Sequence, residues 1–296
     1  MTKTAFIAIV GVPNVGKSTL LNRLLGVKLA IVSEKPQTTR TKIMGVITEN
    51  DTQLVFTDTP GYHRPHTKLG EKMVQAVIDG IDGVDACLFV TEPSGEIRPE
   101  EEELIEKINR EKIPAILAIN KIDTIADKDE LLSRIAMFSE RCKFNAVVPI
   151  SAKHRDGLAA LKTELFALAV ESPFYFPEDT LTDQPEKVIA AEIIREKLLR
   201  NLDREIPHGT AVAIEKFRTR DDGSDILDIE ATIYCEKESH KGIIIGAGGN
   251  MLKIISTRAR QDLEKFFECH INLRCWVKVK EDWRNKEGLI HNFGLD

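Results

Sequence analysis

The sequence predicts an α/β chain, a mostly parallel sheet flanked by helices and followed by a smaller α+β domain. Three observations carry that expectation. Apolar strand-like runs alternate with helix-patterned stretches through the first 170 residues, a proline-rich tract interrupts them, and a different order of elements follows. At 296 residues the chain is long enough for two domains that each bury a core.

In the first part, strands are expected at 5–10, 43–48, 53–57, 85–91, 114–119 and 146–150, with helices near 17–25, 67–80, 99–110, 127–141 and 155–170. The run 43–57 reads as a hairpin about Glu49–Thr52 that supplies one antiparallel edge. Pro173, Pro177 and Pro185 deny both helix and central strand, so residues 173–187 read as a linker and hinge between domains at 1–172 and 188–296. Beyond them the pattern gives a helix (186–203, with Ile189, Ile193, Leu198 and Leu202 on one face), strands at 210–217 and 226–234, and a short helix at 239–245. The loop 246–249, a helix at 250–268 and a strand at 271–279 complete it. The tail from Asp282 receives no element, although Trp283, Leu289, Ile290 and Phe293 imply that it packs.

Forty-two per cent hydrophobic and 30% charged residues, with no uninterrupted apolar run of membrane-spanning length, exclude an integral membrane protein. Met1 to Lys3 lead straight into a strand, so neither a secretory nor a transit segment is expected, and a cytoplasmic location follows. Five scattered cysteines without CxxC spacing argue against disulfides and a zinc site. With a net charge of −6, any nucleic-acid contact must gather its cations locally.

Gly11-Val12-Pro13-Asn14-Val15-Gly16-Lys17-Ser18 lies between an apolar strand and a helix, the context of a phosphate-binding loop. Gly11 and Gly16 let the backbone curl with its N–H groups inward, through Val15 to Thr19 at the helix start. Lys17 can reach β- and γ-phosphates, and the Ser18 hydroxyl can ligate Mg²⁺. Asp58-Thr59-Pro60-Gly61 closes the next apolar strand, where the carboxylate can hold Mg²⁺ through water and the Gly61 N–H can meet a γ-phosphate. Asn120-Lys121-Ile122-Asp123 ends another. Its Asp123 carboxylate can accept two hydrogen bonds from an edge that guanine has and adenine lacks, while Lys121 lies along the base and Asn120 ties loops together. Ser151-Ala152-Lys153, after the strand ending at Ile150, would complete the base contacts. In the polar segment 33–40, Thr39 is the first choice and Thr38 the second for a switch hydroxyl on Mg²⁺.

These motifs in this order resemble the translation-factor-related small GTPases over residues 5–170. That resemblance implies GTP/GDP and Mg²⁺ as ligands and GTP hydrolysis as the activity. Where Ras-like enzymes place a water-orienting Gln, this chain has Tyr62, so slow intrinsic hydrolysis is expected. Asn14 matches the residue that helps bind K⁺ in potassium-activated relatives, and His63, Arg64 and His66 read as solvated switch residues.

In the second part, Ile243-Ile244-Ile245-Gly246-Ala247-Gly248-Gly249 sets a GxxG turn between two helices, where a phosphodiester can approach the backbone. Between 237 and 260, Lys237, Lys241, Lys253, Arg258 and Arg260 face one acid, Glu238. The element order resembles the type II KH fold over residues 186–280, implying single-stranded RNA as ligand at Lys241, Ile245–Gly249, Lys253 and Arg258. Gly248 stands where that family often carries a basic residue. The pairing of the two modules, with Phe176-Pro177-Glu178-Asp179, residues 192–197, Pro36-Gln37-Thr38-Thr39-Arg40, and Trp276-Val277-Lys278-Val279-Lys280 before Trp283, resembles the bacterial ribosome-assembly GTPases. This implies binding to the 3′ end of small-subunit ribosomal RNA, 30S assembly and peripheral association with the inner membrane; a monomer is expected. Two readings stay open: GTP as the control of a switch, or GTP as a structural ligand of an RNA-binding assembly factor. A metabolic kinase is disfavoured by Asn120-Lys121-Ile122-Asp123.

Overall fold

The computed structural model describes residues 1–295 apart from 34, 36 and 37; of the segments named above, Glu34, Pro36 and Gln37 therefore lie outside the described residues. The chain folds into two compact units. One comprises Met1–Ala30, Thr39–His66 and Gly70–Asp183, and the other Ile31–Thr38, Thr67–Leu69 and Gln184–Asp296.

In the first unit, the elements run β1 (Lys3–Val10), α1 (Lys17–Leu25), β2 (Ile43–Glu49), β3 (Thr52–Asp58), α2 (Lys68–Ile81), β4 (Ala86–Thr91) and α3 (Pro99–Glu111). There follow β5 (Ala115–Ile119), α4 (Lys128–Ser139), β6 (Ala146–Pro149), α5 (Leu158–Ala167) and the two-residue β7 (Val170–Glu171). The sheet order is β2-β3-β1-β4-β5-β6, with β7 antiparallel to the start of β1. Every pair along that order is parallel except the β2–β3 hairpin, which is the antiparallel edge expected from the sequence. Strands β4 and β5 are buried on both faces, and the switch from period 2 to unbroken apolar runs follows from helices covering both sides. Val77, Phe89, Leu104, Ile119 and Phe138 anchor one side of this core.

Residues 173–182 lie along the first unit. Thr4 Oγ1 donates to the Pro173 carbonyl at 3.0 Å, Gln53 bonds the backbone of Tyr175 and Phe176, and the Val46 N–H donates to Leu181 O at 2.9 Å. Thr182 Oγ1 adds a bond to Met44 O at 2.6 Å. This proline-rich segment thus continues the hydrogen bonding of the β2 edge.

The second unit contains α6 (Glu186–Asn201), β8 (Ala211–Thr219), β9 (Ile226–Cys235), α7 (Glu238–Ile245), α8 (Asn250–Phe267), β10 (His270–Val279) and α9 (Glu287–Asn292). Its sheet order is β10-β9-β8, with β10 parallel and β8 antiparallel to β9. Residues Leu227, Ile229, Ala231, Ile233 and Cys235 of β9 turn inward, as their alternation requires. The tail folds as a short 3₁₀ turn (Trp283–Asn285) and α9; Trp283 is fully buried and donates from Nε1 to Gly209 O at 2.9 Å. Within this unit, α6 carries part of the switch segment. Arg195 Nη2 donates to Thr38 O, Arg200 Nη2 to Val32 O at 3.1 Å, and Lys35 Nζ to Leu202 O.

All five cysteines are free. Among the described residues no helix is long and apolar enough to cross a membrane.

Candidate functional site

The carboxyl ends of β1, β3, β5 and β6 converge with the start of α1, the place where an open α/β sheet leaves a crevice for ligands. Gly16, at φ +100°, ends the phosphate loop and caps α1; a Cβ there would collide with Asn120 Nδ2, so only glycine lets the two loops close together. Asn14 also sits in the left-handed region, exposed at the loop apex, with Val15 buried beside it and Thr19 in the first turn of α1. Lys17 is buried and donates from Nζ to Gly11 O at 2.9 Å and Val12 O at 3.0 Å.

Three oxygen-bearing side chains meet beneath that lysine. Ser18 Oγ lies 2.8 Å from Thr39 Oγ1 and donates to Asp58 Oδ2 at 2.7 Å, and Thr39 Oγ1 approaches the same carboxylate at 3.5 Å. Thr39 is the hydroxyl brought here; Thr38 Oγ1 instead bonds Lys35 O at 2.6 Å. Asp58 is fully buried, and its Oδ1 has no hydrogen-bond partner. An oxygen-only donor set with a buried orphan carboxylate oxygen fits a hard divalent cation such as Mg²⁺. Burial pushes the Asp58 carboxyl up to about 6, against the pull of Lys17, and pushes the Lys17 ammonium down to about 8, against the pull of Asp58.

The loop after Asp58 folds onto the phosphate loop. Thr59 Oγ1 donates to Ile9 O at 2.9 Å, Pro60 is buried, and the Tyr62 N–H donates to Gly11 O at 3.2 Å. A Cβ on Gly61 would stand 2.6 Å from Pro13 Cα, so this position must be glycine for the loops to touch. The Tyr62 side chain packs against the core cluster around Phe89 and Leu104, and burial raises its hydroxyl pKa. His63 Nδ1 donates to Gly61 O at 2.8 Å, and Arg64 and His66 are exposed.

On the far side, Ser151 Oγ donates to Asp123 Oδ1 at 2.5 Å, and this bond holds the carboxyl below its usual range. Asn120 donates from Nδ2 to Val15 O at 2.7 Å and accepts at Oδ1 from the Ala152 N–H at 2.9 Å. Lys153 is exposed, and Lys121 Nζ meets Glu92 Oε1 at 2.7 Å. Glu92 was not legible in the sequence, and neither was Arg23 of α1, whose Nε bonds Ala152 O at 3.1 Å. Both partners lie far away along the chain, and no local pattern marks them.

The second unit presents the GxxG turn between α7 and α8, with Gly246, Gly248 and Gly249 at φ +73°, +57° and +80°. Ala247 and Gly248 are exposed, Ile245 is half-buried, and Ile243 leaves half of its surface open nearby. Of the cations read from the sequence, Lys253 is exposed. Lys241 approaches Glu238 at 3.7 Å, Arg258 bonds Asn201, and Arg260 pairs with Glu264 at 2.8 Å.

Comparison with known proteins agrees with both halves. A family model described as 50S ribosome-binding GTPase matches residues 6–121, and one described as KH domain matches residues 205–284. GTPase Era of Clostridioides difficile is 50% identical over 296 residues, covering 100% of this chain and 99% of that protein. GTPase Era of Ruminiclostridium cellulolyticum is 49% identical over 292 residues, covering 99% and 97%. A crystal structure of a point variant of Aquifex aeolicus Era bound to GDP·AlF₄⁻ superposes with a TM-score of 0.95 at 38% identity, covering 99% of each chain. A crystal structure of Era with MgGDPNP and nucleotides 1506–1542 of 16S ribosomal RNA gives the same score and identity, covering 100% and 99%. With a P-loop GTPase domain followed by a KH-type domain and half of its residues shared along its whole length, the chain belongs to the Era family of GTPases.

Proposed function

We propose that this chain is a GTP-hydrolysing switch that binds the 3′ end of small-subunit ribosomal RNA through its KH domain and assists assembly of the 30S subunit. In this reading Gly11, Asn14 to Thr19 and Gly61 hold the phosphates. Ser18 and Thr39 ligate Mg²⁺, with Asp58 acting through water and Thr59 and Pro60 shaping its loop. Asn120, Lys121, Asp123 and Ser151 to Lys153 hold guanine. The metal would neutralise charge on the β- and γ-phosphates. RNA phosphates pass the backbone of residues 246–249, with Lys241, Ile245, Lys253 and Arg258 around them. Asn14, exposed in the loop, helps hold K⁺ in this reading.

The observation that carries the switch is one peptide bond. Thr39 stands 2.8 Å from Ser18 Oγ, whereas the carbonyl of Thr38, next to it, accepts from Arg195 on α6 of the RNA-binding unit. Drawing Thr39 onto a metal bound to GTP therefore pulls on a residue anchored to α6, which gives the two nucleotide states different contacts. The test compares RNA affinity with GDP, GTP and a non-hydrolysable analogue; a difference is expected, and equal affinities would remove the switch.

One observation favours the second reading, in which GTP is chiefly a structural ligand. Tyr62 occupies the place of the usual water-orienting amide, and its ring is committed to the core. A K⁺-dependent rise in turnover that Asn14→Ala abolishes would return the weight to hydrolysis.

A further inference from the structure

The three-stranded sheet of the second unit has two faces, and the GxxG helices occupy one. Helices α6 and α8 cover the inward residues, and both α7 and α8 pack against β10. On the opposite face, cross-strand register sets Lys278 beside Tyr234, Trp276 beside Thr232 and Arg274 beside Glu230. Part of that face is closed: Phe293 packs on Tyr234 with ring centroids 4.8 Å apart and meets Trp283 edge to face at 5.3 Å. At its far end Lys216 and Arg220 are engaged by Asp228, and Arg218 by Asp221.

Between these ends Trp276 is 43% exposed, a large aromatic surface left in water. It is flanked along the strand by Arg274 and Lys278, both exposed, and neither side chain has an ion-pair or hydrogen-bond partner among the described residues. Lys280 extends the row. Alternate residues of a strand share a face at about 6.7 Å spacing, so the indole lies between two cations in one line. No strand among the described residues pairs with the outer edge of β10, which leaves an open way from the helix side of the sheet to the Trp276 side.

A flat aromatic ring between unpaired cations on an open strand is the chemistry that stacks an unpaired base and neutralises its phosphates. The exposed indole favours that occupant over an acidic protein segment, because the cations would accept either but a bare peptide would leave the ring face without a planar partner. We propose that the outer face of β10 is a second RNA-contact surface: Trp276 stacks an unpaired nucleobase while Arg274 and Lys278 hold the adjoining phosphates, on a strand that rounds the β10 edge from the GxxG turn. This rests on the RNA-binding reading above and extends its footprint to the opposite side of the sheet.

The test uses the full chain with GTP and a fluorescein-labelled RNA spanning nucleotides 1506–1542 of 16S ribosomal RNA, the segment seen with the Era structure. Trp276→Ala should weaken binding about five- to 150-fold and Trp276→Phe much less, since a smaller ring still stacks. RNA should quench tryptophan emission in the native chain but not in Trp276→Phe, which retains the buried Trp283. The pair Arg274→Gln and Lys278→Gln should lower the slope of log affinity against log salt by about 1.4. An unaltered urea-unfolding curve followed by tryptophan emission, which in the Trp276 variants comes from the buried Trp283 of the same unit, confirms that each variant is folded. RNA binding and quenching unaltered by Trp276→Ala would overturn the proposal. If Gly248→Asp weakens binding in that same case, the KH reading stands without this surface. A native chain that fails to bind this RNA would remove both.

Discussion

Asn120 Nδ2 donates to the Val15 carbonyl at 2.7 Å, across 105 residues of sequence, and so fastens the Asn120-Lys121-Ile122-Asp123 loop to the phosphate loop. The same side chain takes the Ala152 N–H, so one amide holds three loops. Asn120→Ala should cost about 1–3 kcal/mol in urea unfolding of the nucleotide-free protein, because it leaves a buried carbonyl and N–H without partners. GDP affinity should fall at least tenfold by titration.

Asp123 is oriented by Ser151 and kept ionised by that bond. Asp123→Asn places an amide donor where guanine also presents donors, and it should move preference from GTP to xanthosine triphosphate by 100-fold or more, on the order of other polar-site discriminations. Competition between the two nucleotides reads this directly; continued preference for GTP would contradict the assignment.

The buried pair Asp58 and Lys17 predicts how stability follows pH. Asp58 is raised from 3.8 to about 6, so between those values the folded chain holds more protons than the unfolded chain and stability falls as pH rises. Lys17 is lowered from 10.5 to about 8, so across that window the folded chain holds fewer protons and stability rises with pH. In nucleotide-free protein, Asp58→Asn should flatten the acid-side slope, a change of about 3 kcal/mol over the window. Denaturant unfolding at pH 4, 5, 6 and 7 checks it.

Arg134 and Glu101 form an ion pair at 3.2 Å with both side chains almost wholly buried, shared with Thr91 Oγ1 and laid over the Phe138 ring. Arg134→Met should cost about 3–5 kcal/mol by stranding the carboxylate. The double variant Arg134→Met with Glu101→Leu should recover only part of that loss in the same unfolding assay, since Thr91 Oγ1, the Arg98 N–H and the Glu92 and Gly95 carbonyls also lose their partners.

A side chain at Gly248 would meet nothing within 4 Å, whereas one at Gly246 would press on Met251 Cβ at 2.7 Å. Gly248→Lys should therefore fold, at about 1 kcal/mol for a left-handed residue, and steepen the salt dependence of RNA binding by about 0.7. Gly248→Asp should weaken binding while leaving GTP affinity intact.

Most of the first sheet could be read in advance because buried parallel strands are short apolar runs and each motif sits at a strand end. The Ser18, Thr39 and Asp58 cluster was legible for the same reason, since hydroxyl and carboxylate chemistry singles out few residues. The Arg134 and Glu101 pair was not: the two charges stand 33 residues apart with no motif around them, and only tertiary packing brings them together. Strand β7 has two residues, too few for periodicity, and α9 spans fewer than two turns. The path of 173–182 escaped because it bonds largely through its own backbone groups, which carry no residue signature, while its prolines pointed to a linker.

That path bears on how the first unit behaves alone. Strand β2 is the outermost strand of its sheet, and the Val46 N–H would face water without Leu181. A polypeptide cut after residue 172 would lose this cover and present a bare edge to its copies, inviting sheet-to-sheet association that one ending at Asp183 would resist. Light scattering of the two fragments would tell them apart and so test whether the stretch of chain that leads to the second unit also shields this edge.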